Sequence, residues 1–136
     1  MTDAPQPEKL AGLNRLDSLS DDDLATVVRA GRHVHLPADW SLIWEKTPAD
    51  KAYLIVSGTV SVRRNGVEIA TLGPGDVIGE MAIVEHRLRS ATVVSTTPLD
   101  VIHFTREQLV DLLAEVPAFG DAIRATTADR LGADHA

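Results

Sequence analysis

The pair Asn65-Gly66 follows a run, Thr59-Val60-Ser61-Val62-Arg63, in which apolar and polar residues alternate. Alternation with a period of two places every second side chain on one face of a strand. Asn-Gly supplies the two positive-φ residues that a tight hairpin needs. The chain must therefore turn back on itself here in antiparallel fashion. A second turn cluster, Leu72-Gly73-Pro74-Gly75-Asp76, follows soon after. From His33 to His103 the sequence keeps this rhythm of short strands and turns. That pattern predicts a β-sandwich or β-roll rather than a parallel sheet.

Helical signals flank the strands. Ser20 is a good N-cap, Asp21, Asp22 and Asp23 suit a positive helix end, and Leu19 and Leu24 stand at staple positions. The acid run lacks the alternating ligands, central Gly and distal Glu of an EF-hand loop. Beyond the strands, Thr105 and Gln108 have capping-box spacing, with Phe104 and Leu109 as the staple. Leu109, Leu112, Leu113 and Val116 form a stripe at helical spacing, and Pro117 interrupts it. A last helix then carries Phe119, Ile123 and Leu131 on one side, with Gly132 as its C-cap. Gly120 and the Thr126-Thr127 pair lower its propensity, so this end is expected to be the least stable. The expected architecture is mainly β with flanking helices: a β-roll or jelly roll of about eight strands, one N-terminal helix and two C-terminal helices. Residues 1–15 are expected to be a flexible tail and residues 16–136 a single domain.

Composition removes several function classes. The chain has 136 residues, 44% hydrophobic, which suits one domain with a core. Its formal net charge of −7 disfavours a free-standing nucleic-acid binder, which needs surplus Lys and Arg for phosphates. With no cysteine there is no disulfide, thiolate catalysis or Cys-based zinc site, in keeping with a cytoplasmic protein. The N-terminus shows no signal pattern, and no apolar run approaches the roughly 18 residues of a membrane span. No nucleophile elbow, Walker loop or catalytic carboxylate pair is present.

One stretch does not fit the strand rhythm. Residues 79–93 read GEMAIVEHRLRSATV. A single helical turn starting at Gly79-Glu80 would present free backbone N–H groups, a ready anion site. Arg89, ten residues on, can return to that site with a planar fork suited to phosphate. A carboxylate at Glu80 would repel the anion unless the ligand also offers a hydroxyl. The pattern therefore asks for a ligand with both a phosphate and a sugar hydroxyl.

These residues resemble the phosphate-binding cassette of the cyclic-nucleotide-binding domain family, which includes catabolite activator proteins and protein kinase A regulatory subunits. The family pattern is Gly-Glu-Leu-Ala-Leu, a short loop, then Arg-x-Ala-Thr-Val. Gly79, Glu80, Ala82, Arg89, Ala91, Thr92 and Val93 match it, and Met81 and Ile83 are close substitutes. Ala52-Tyr53-Leu54-Ile55-Val56-Ser57-Gly58 and the stretch after His103 resemble the family's flanks. The resemblance implies that Glu80 accepts from the ribose 2′-OH and that Arg89 pairs with the cyclic phosphate. Gly79, Glu80 and Ala82 would offer backbone N–H groups, Ser90 its hydroxyl or N–H, and Met81 and Ala91 would pack around them. The ligand is expected to be cAMP, with cGMP second, and no cofactor is expected. In the family, the helix after the roll moves over the base. Here that lid would span 118 to about 131, with Asp134 and His135 in base-capping positions. Leu88 replaces the family's frequent Pro, and the turn glycines usual near Asp39 and Lys46 are absent.

Two other readings compete. In a ligand-free domain of this fold, acting as a protein-interaction module, Glu80 and Arg89 would pair with each other on the rim. A cupin-like metal enzyme would use His33 and His35, which share a strand face, but Glu45 and His86 fall at the wrong spacing for that site. Arg87 is expected to be solvated, and Trp40 and Trp44 to be core or edge anchors rather than base-stacking residues. No room for a helix-turn-helix unit is seen after the last helix, so no DNA partner is expected. The expectation is a bacterial, cytoplasmic, non-enzymatic cyclic-nucleotide sensor. It would be a monomer or weak homodimer, off the membrane, signalling to a protein effector yet to be identified.

Overall fold

The computed structural model describes residues 19–44, 46, 47, 50–79 and 91–129, with side chains in the last helix as far as residue 123. The first helix, α1, spans Asp21–Ala30 and is capped by Ser20, whose Oγ accepts from the Asp23 N–H at 3.1 Å. Leu19 and Leu24, on either side of the cap, are both buried. Eight strands follow among the described residues: β1 Arg32–Leu36, β2 Ser41–Ile43, β3 Lys51–Ser57, β4 Val60–Arg64, β5 Val67–Leu72, β6 Val77–Ile78, β7 Thr92–Ser95 and β8 Leu99–Thr105. Two helices complete the order, α2 Arg106–Glu115 and α3 Pro117–Asp129.

The strands form two antiparallel four-stranded sheets, β1-β8-β3-β6 and β2-β7-β4-β5. Val60 and Val62 of β4 and Val93 of β7 meet Ile55, Ile78 and Val101 of the other sheet in the core between the layers. The opposite face of the first sheet carries Ala52, Leu54, Val56, Ile102 and Phe104, and the helices pack there through Leu24, Val27, Leu109, Leu112 and Phe119. The first sheet is thus buried on both faces, which explains why Ala52 through Val56 are all buried and β3 shows no alternation.

The predicted hairpin joins β4 to β5, with Asn65 at φ 54° and Gly66 at φ 80°. The capping box of α2 is complete: Gln108 N–H donates to Thr105 Oγ1 at 3.1 Å, and Thr105 N–H donates to Gln108 Oε1 at 2.9 Å. Two further turns carry left-handed residues that are not glycine. Asp39 and Lys46 adopt φ 61° and 68° without being glycines, so the left-handed turns near these positions survive the missing glycines. Trp40 and Trp44 are 51% and 61% exposed and flank the edge strand β2, so of the two expected places they stand at the edge and not in the core. Trp40 is nonetheless tied down by its backbone. Its N–H donates to Ser95 Oγ at 2.8 Å, and its carbonyl accepts from the Ser95 N–H at 2.8 Å. No helix among the described residues is long and apolar enough to cross a membrane.

Candidate functional site

The stretch at residues 79–93 bridges the two sheets. It leaves β6, on the edge of the first sheet beside β3, and arrives at β7, between β2 and β4 in the second. Both anchors are fixed. On the entry side, Tyr53 pairs with Ile78 and Leu54 with Val77. The turn before β6 is held by Asp76, a buried carboxylate whose Oδ2 accepts from the Gly73 N–H at 2.9 Å. Backbone bonds Gly75 N–H to Ile55 O (2.8 Å) and Ile55 N–H to Asp76 O (3.0 Å) tie the same turn to β3. Such a tied turn fixes where the chain enters the crossing.

Gly79 is buried and has φ 89°, a conformation an L side chain adopts at a cost. The glycine is therefore required by the backbone at the point where β6 ends. On the exit side, Ala91 is fully buried in the core between the sheets, with Ile78 and Val93 in the same cluster. Gly79 and Ala91 are thus placed, and they hold the two ends of the crossing. Glu80, Met81, Ala82, Arg89 and Ser90 lie outside the described residues, as do the nearby Arg87 and Leu88. Asp134 and His135, expected over the base, and Leu131 and Gly132 of the last helix also lie outside them.

On the inner face of the first sheet, one cross-strand row runs Arg32, His103, Tyr53, Ile78, ending beside Gly79. The His103 and Tyr53 rings meet edge to face, with centroids 5.4 Å apart. Burial pushes the His103 imidazole pKa below its ordinary range, and the charges of Arg32 and Lys51 push it further against a partial pull from Asp50.

The family model of the cyclic nucleotide-binding domain matches residues 33–116, from β1 to the end of α2. The chain belongs to this family. Among curated relatives, 111 residues are 36% identical to glutaminase 2 of Bradyrhizobium diazoefficiens, covering 81% of this chain and 18% of that protein. The same length is 34% identical to a cyclic nucleotide-gated potassium channel of Mesorhizobium japonicum, covering 81% and 30%. The chain thus spans less than a third of either relative. Among solved structures, the regulatory domain of Toxoplasma gondii protein kinase A, crystallised with cAMP, is 29% identical with a TM-score of 0.67, over 85% of this chain and 46% of that one. The catabolite activator protein of Thermus thermophilus shares the fold at TM-score 0.75 and 24% identity, over 86% and 57%.

One cluster was missed in the sequence. His33 and His35 on β1 meet Asp100 on β8, where the register sets His35 opposite Asp100. The sequence pointed to the two histidines but not to the carboxylate. Only the pairing of β1 with β8 brings Asp100 there, from 65 residues beyond His35.

Proposed function

We infer that this protein is a regulatory module that binds a cyclic nucleotide, preferentially cAMP, in the cassette between β6 and β7. The observation that carries this reading is the family match across residues 33–116, which contains the Gly79-Glu80 and Arg89-Ser90-Ala91-Thr92-Val93 elements. Glu80 takes the ribose 2′-OH. Arg89 pairs with the cyclic phosphate, aided by backbone N–H groups of Gly79, Glu80 and Ala82 and by Ser90. The positive-φ Gly79 and the buried Ala91 support the reading, because they fix the ends of a loop that must present N–H groups in one geometry.

The signal leaves through α3, which closes over the base and passes the change to a protein effector. A ligand shifts such a helix only by its differential affinity for the closed and open states. Nothing in this reading requires bond-making chemistry in this domain.

Calorimetric titration with cAMP, cGMP and 5′-AMP tests it. One molecule of cAMP should bind per chain, more tightly than cGMP, with 5′-AMP far weaker. Arg89→Ala should weaken cAMP by about 2–5 kcal/mol, as when one partner of a buried charge pair is removed, or roughly 30-fold to several thousand-fold. A folded wild-type protein that ignores all three nucleotides would refute the sensor reading. It would favour a ligand-free interaction domain instead.

A further inference from the structure

We propose that His33, His35 and Asp100 form a binding site for a divalent transition-metal ion of the zinc class, on the helix-bearing side of the first sheet. This proposal does not depend on the nucleotide reading. His33 and His35 are two residues apart on β1 and so project from one face. Asp100 reaches the same face from β8, directly opposite His35. The three donor atoms lie within 4.8 Å of one another.

The geometry converges on a single carboxylate oxygen. His35 Nδ1 contacts Asp100 Oδ1, and His33 Nε2 lies 3.8 Å from that same oxygen. The two imidazole rings have centroids 4.6 Å apart and are tilted by 52°. In tetrahedral zinc coordination, bonds of about 2.0–2.1 Å hold the donors about 3.3 Å apart. The His33–Asp100 separation therefore needs only a small closure. The His35 side chain is 67% exposed and has room to swing aside for an ion, whereas His33 and Asp100 are 11% and 25% exposed and set the fixed side.

Asp100 is also oriented from behind. Ser57 Oγ donates to its Oδ2 at 3.0 Å, which leaves Oδ1 to face the histidines. A hydrogen bond to the second carboxylate oxygen is the usual way a protein holds a metal-binding carboxylate in place. Two imidazoles and one carboxylate suit zinc, copper or nickel, while magnesium and calcium favour sites built from oxygen alone. Three protein donors leave one position for solvent, reached past the exposed His35. An ion held here would join β1 to β8, so binding should raise the stability of the roll.

The experiment is calorimetric and thermal titration of the chelator-treated full chain with Zn2+, with Mg2+ as the comparison. The expected result is one Zn2+ per chain, a rise in Tm with Zn2+, and no response to Mg2+. His35→Ala changes an exposed side chain, and Asp100→Asn keeps the shape of Asp100. Both should fold, shown by an unchanged circular dichroism spectrum, and both should lose the Zn2+-dependent rise in Tm. Ser57→Ala should weaken Zn2+ by about tenfold, as removal of a supporting hydrogen bond does. A wild-type protein that fails to bind Zn2+ overturns the proposal. So does Zn2+ binding that is equally tight in the wild type and in both His35→Ala and Asp100→Asn.

Discussion

Phe119→Ala should release α3 from the roll rather than unfold the roll. Phe119 is fully buried, and its ring lies 6.5 Å from that of Phe104 on β8. Around it, Ala118, Ala122 and Ile123 are only partly buried against the same core. Removing a buried Phe ring costs about 3–5 kcal/mol. Among the described side chains of α3, that of Phe119 is the largest fully buried one. A glycine and two threonines within it cost about 2 kcal/mol of propensity relative to alanine, and a helix of 13 residues is marginal on its own. Once the loss from the substitution exceeds the docking free energy of α3, the measured cost is capped at that docking energy. Global urea unfolding should show a lower midpoint and a smaller slope, because surface under α3 is already exposed in the native state. Hydrogen exchange should show amides of residues 118–129 losing protection, while β3 and β8 keep most of theirs. Val110→Ala, at a position 51% exposed on α2, is the control and should change stability by no more than about 0.5 kcal/mol. A loss below about 1 kcal/mol for Phe119→Ala, with exchange in α3 unchanged, would refute the reasoning. It would mean that contacts other than Phe119 hold the helix. If the lid role in nucleotide binding is also correct, the same variant should bind cAMP more weakly.

Gly58 has φ 96°, and an added Cβ would fall 2.4 Å from the carbonyl oxygen of Pro98 and 2.6 Å from Leu99 Cδ2. Gly58→Ala should therefore cost about 2–4 kcal/mol from backbone strain and overpacking, read from urea midpoints, and a near-neutral variant would show that the turn shifts freely. The lowered pKa of His103 makes stability depend on pH: below its ordinary value of about 6.5 the unfolded chain binds the proton first, so this contribution is present above that pH. It is lost as the pH falls toward the folded value. The pH dependence of Tm should be shallower in His103→Gln over that acidic window, and an unchanged slope would assign the effect to other groups. In the proposed nucleotide site, Glu80→Gln should weaken cAMP by about 1–3 kcal/mol, the worth of a charge-assisted bond, but should affect 2′-deoxy-cAMP far less. Equal losses for both ligands would make Glu80 a structural residue.

Local chemistry made the ends of the elements readable in the sequence. Ser20, Thr105, Gln108 and the pair Asn65-Gly66 act through bonds or dihedrals spanning a few residues, and each stands where its spacing predicted. The staples were readable for the same reason, since Leu19 with Leu24 and Phe104 with Leu109 are near neighbours along the chain. The run of short strands followed from alternation and turn residues, but their pairing did not. Nothing local states that β8 lies between β1 and β3, or that β6 and β7 belong to different sheets. For that reason the cassette motif was visible as a string of residues, while its role as the crossing between sheets was not.

The two tryptophans and the two left-handed turns show where residue type misleads. Large aromatic rings suggest burial, yet Trp40 and Trp44 flank β2, an edge strand of three residues with a register shift, in which the consecutive Leu42 and Ile43 are both buried. Regular alternation does not hold in this strand, and bonds between the Trp40 backbone and Ser95 anchor the chain there. At Asp39 and Lys46 the glycines are absent but the left-handed conformation remains, since a single left-handed residue costs only about 1–2 kcal/mol. The Asp39 turn gains from its own cross-strand bond, Asp39 N–H to Ser95 O at 2.8 Å. Ser95 thus receives Asp39 and exchanges bonds with Trp40, while its hydroxyl donates to Pro37 O. One buried serine on β7 organises the turn that leads into β2, and β7 is also the strand on which the cassette ends. The strand that follows residues 79–91 and the distant turn at Pro37–Trp40 are therefore joined through a single residue, by two backbone bonds and two of its hydroxyl, which neither segment reveals when read alone.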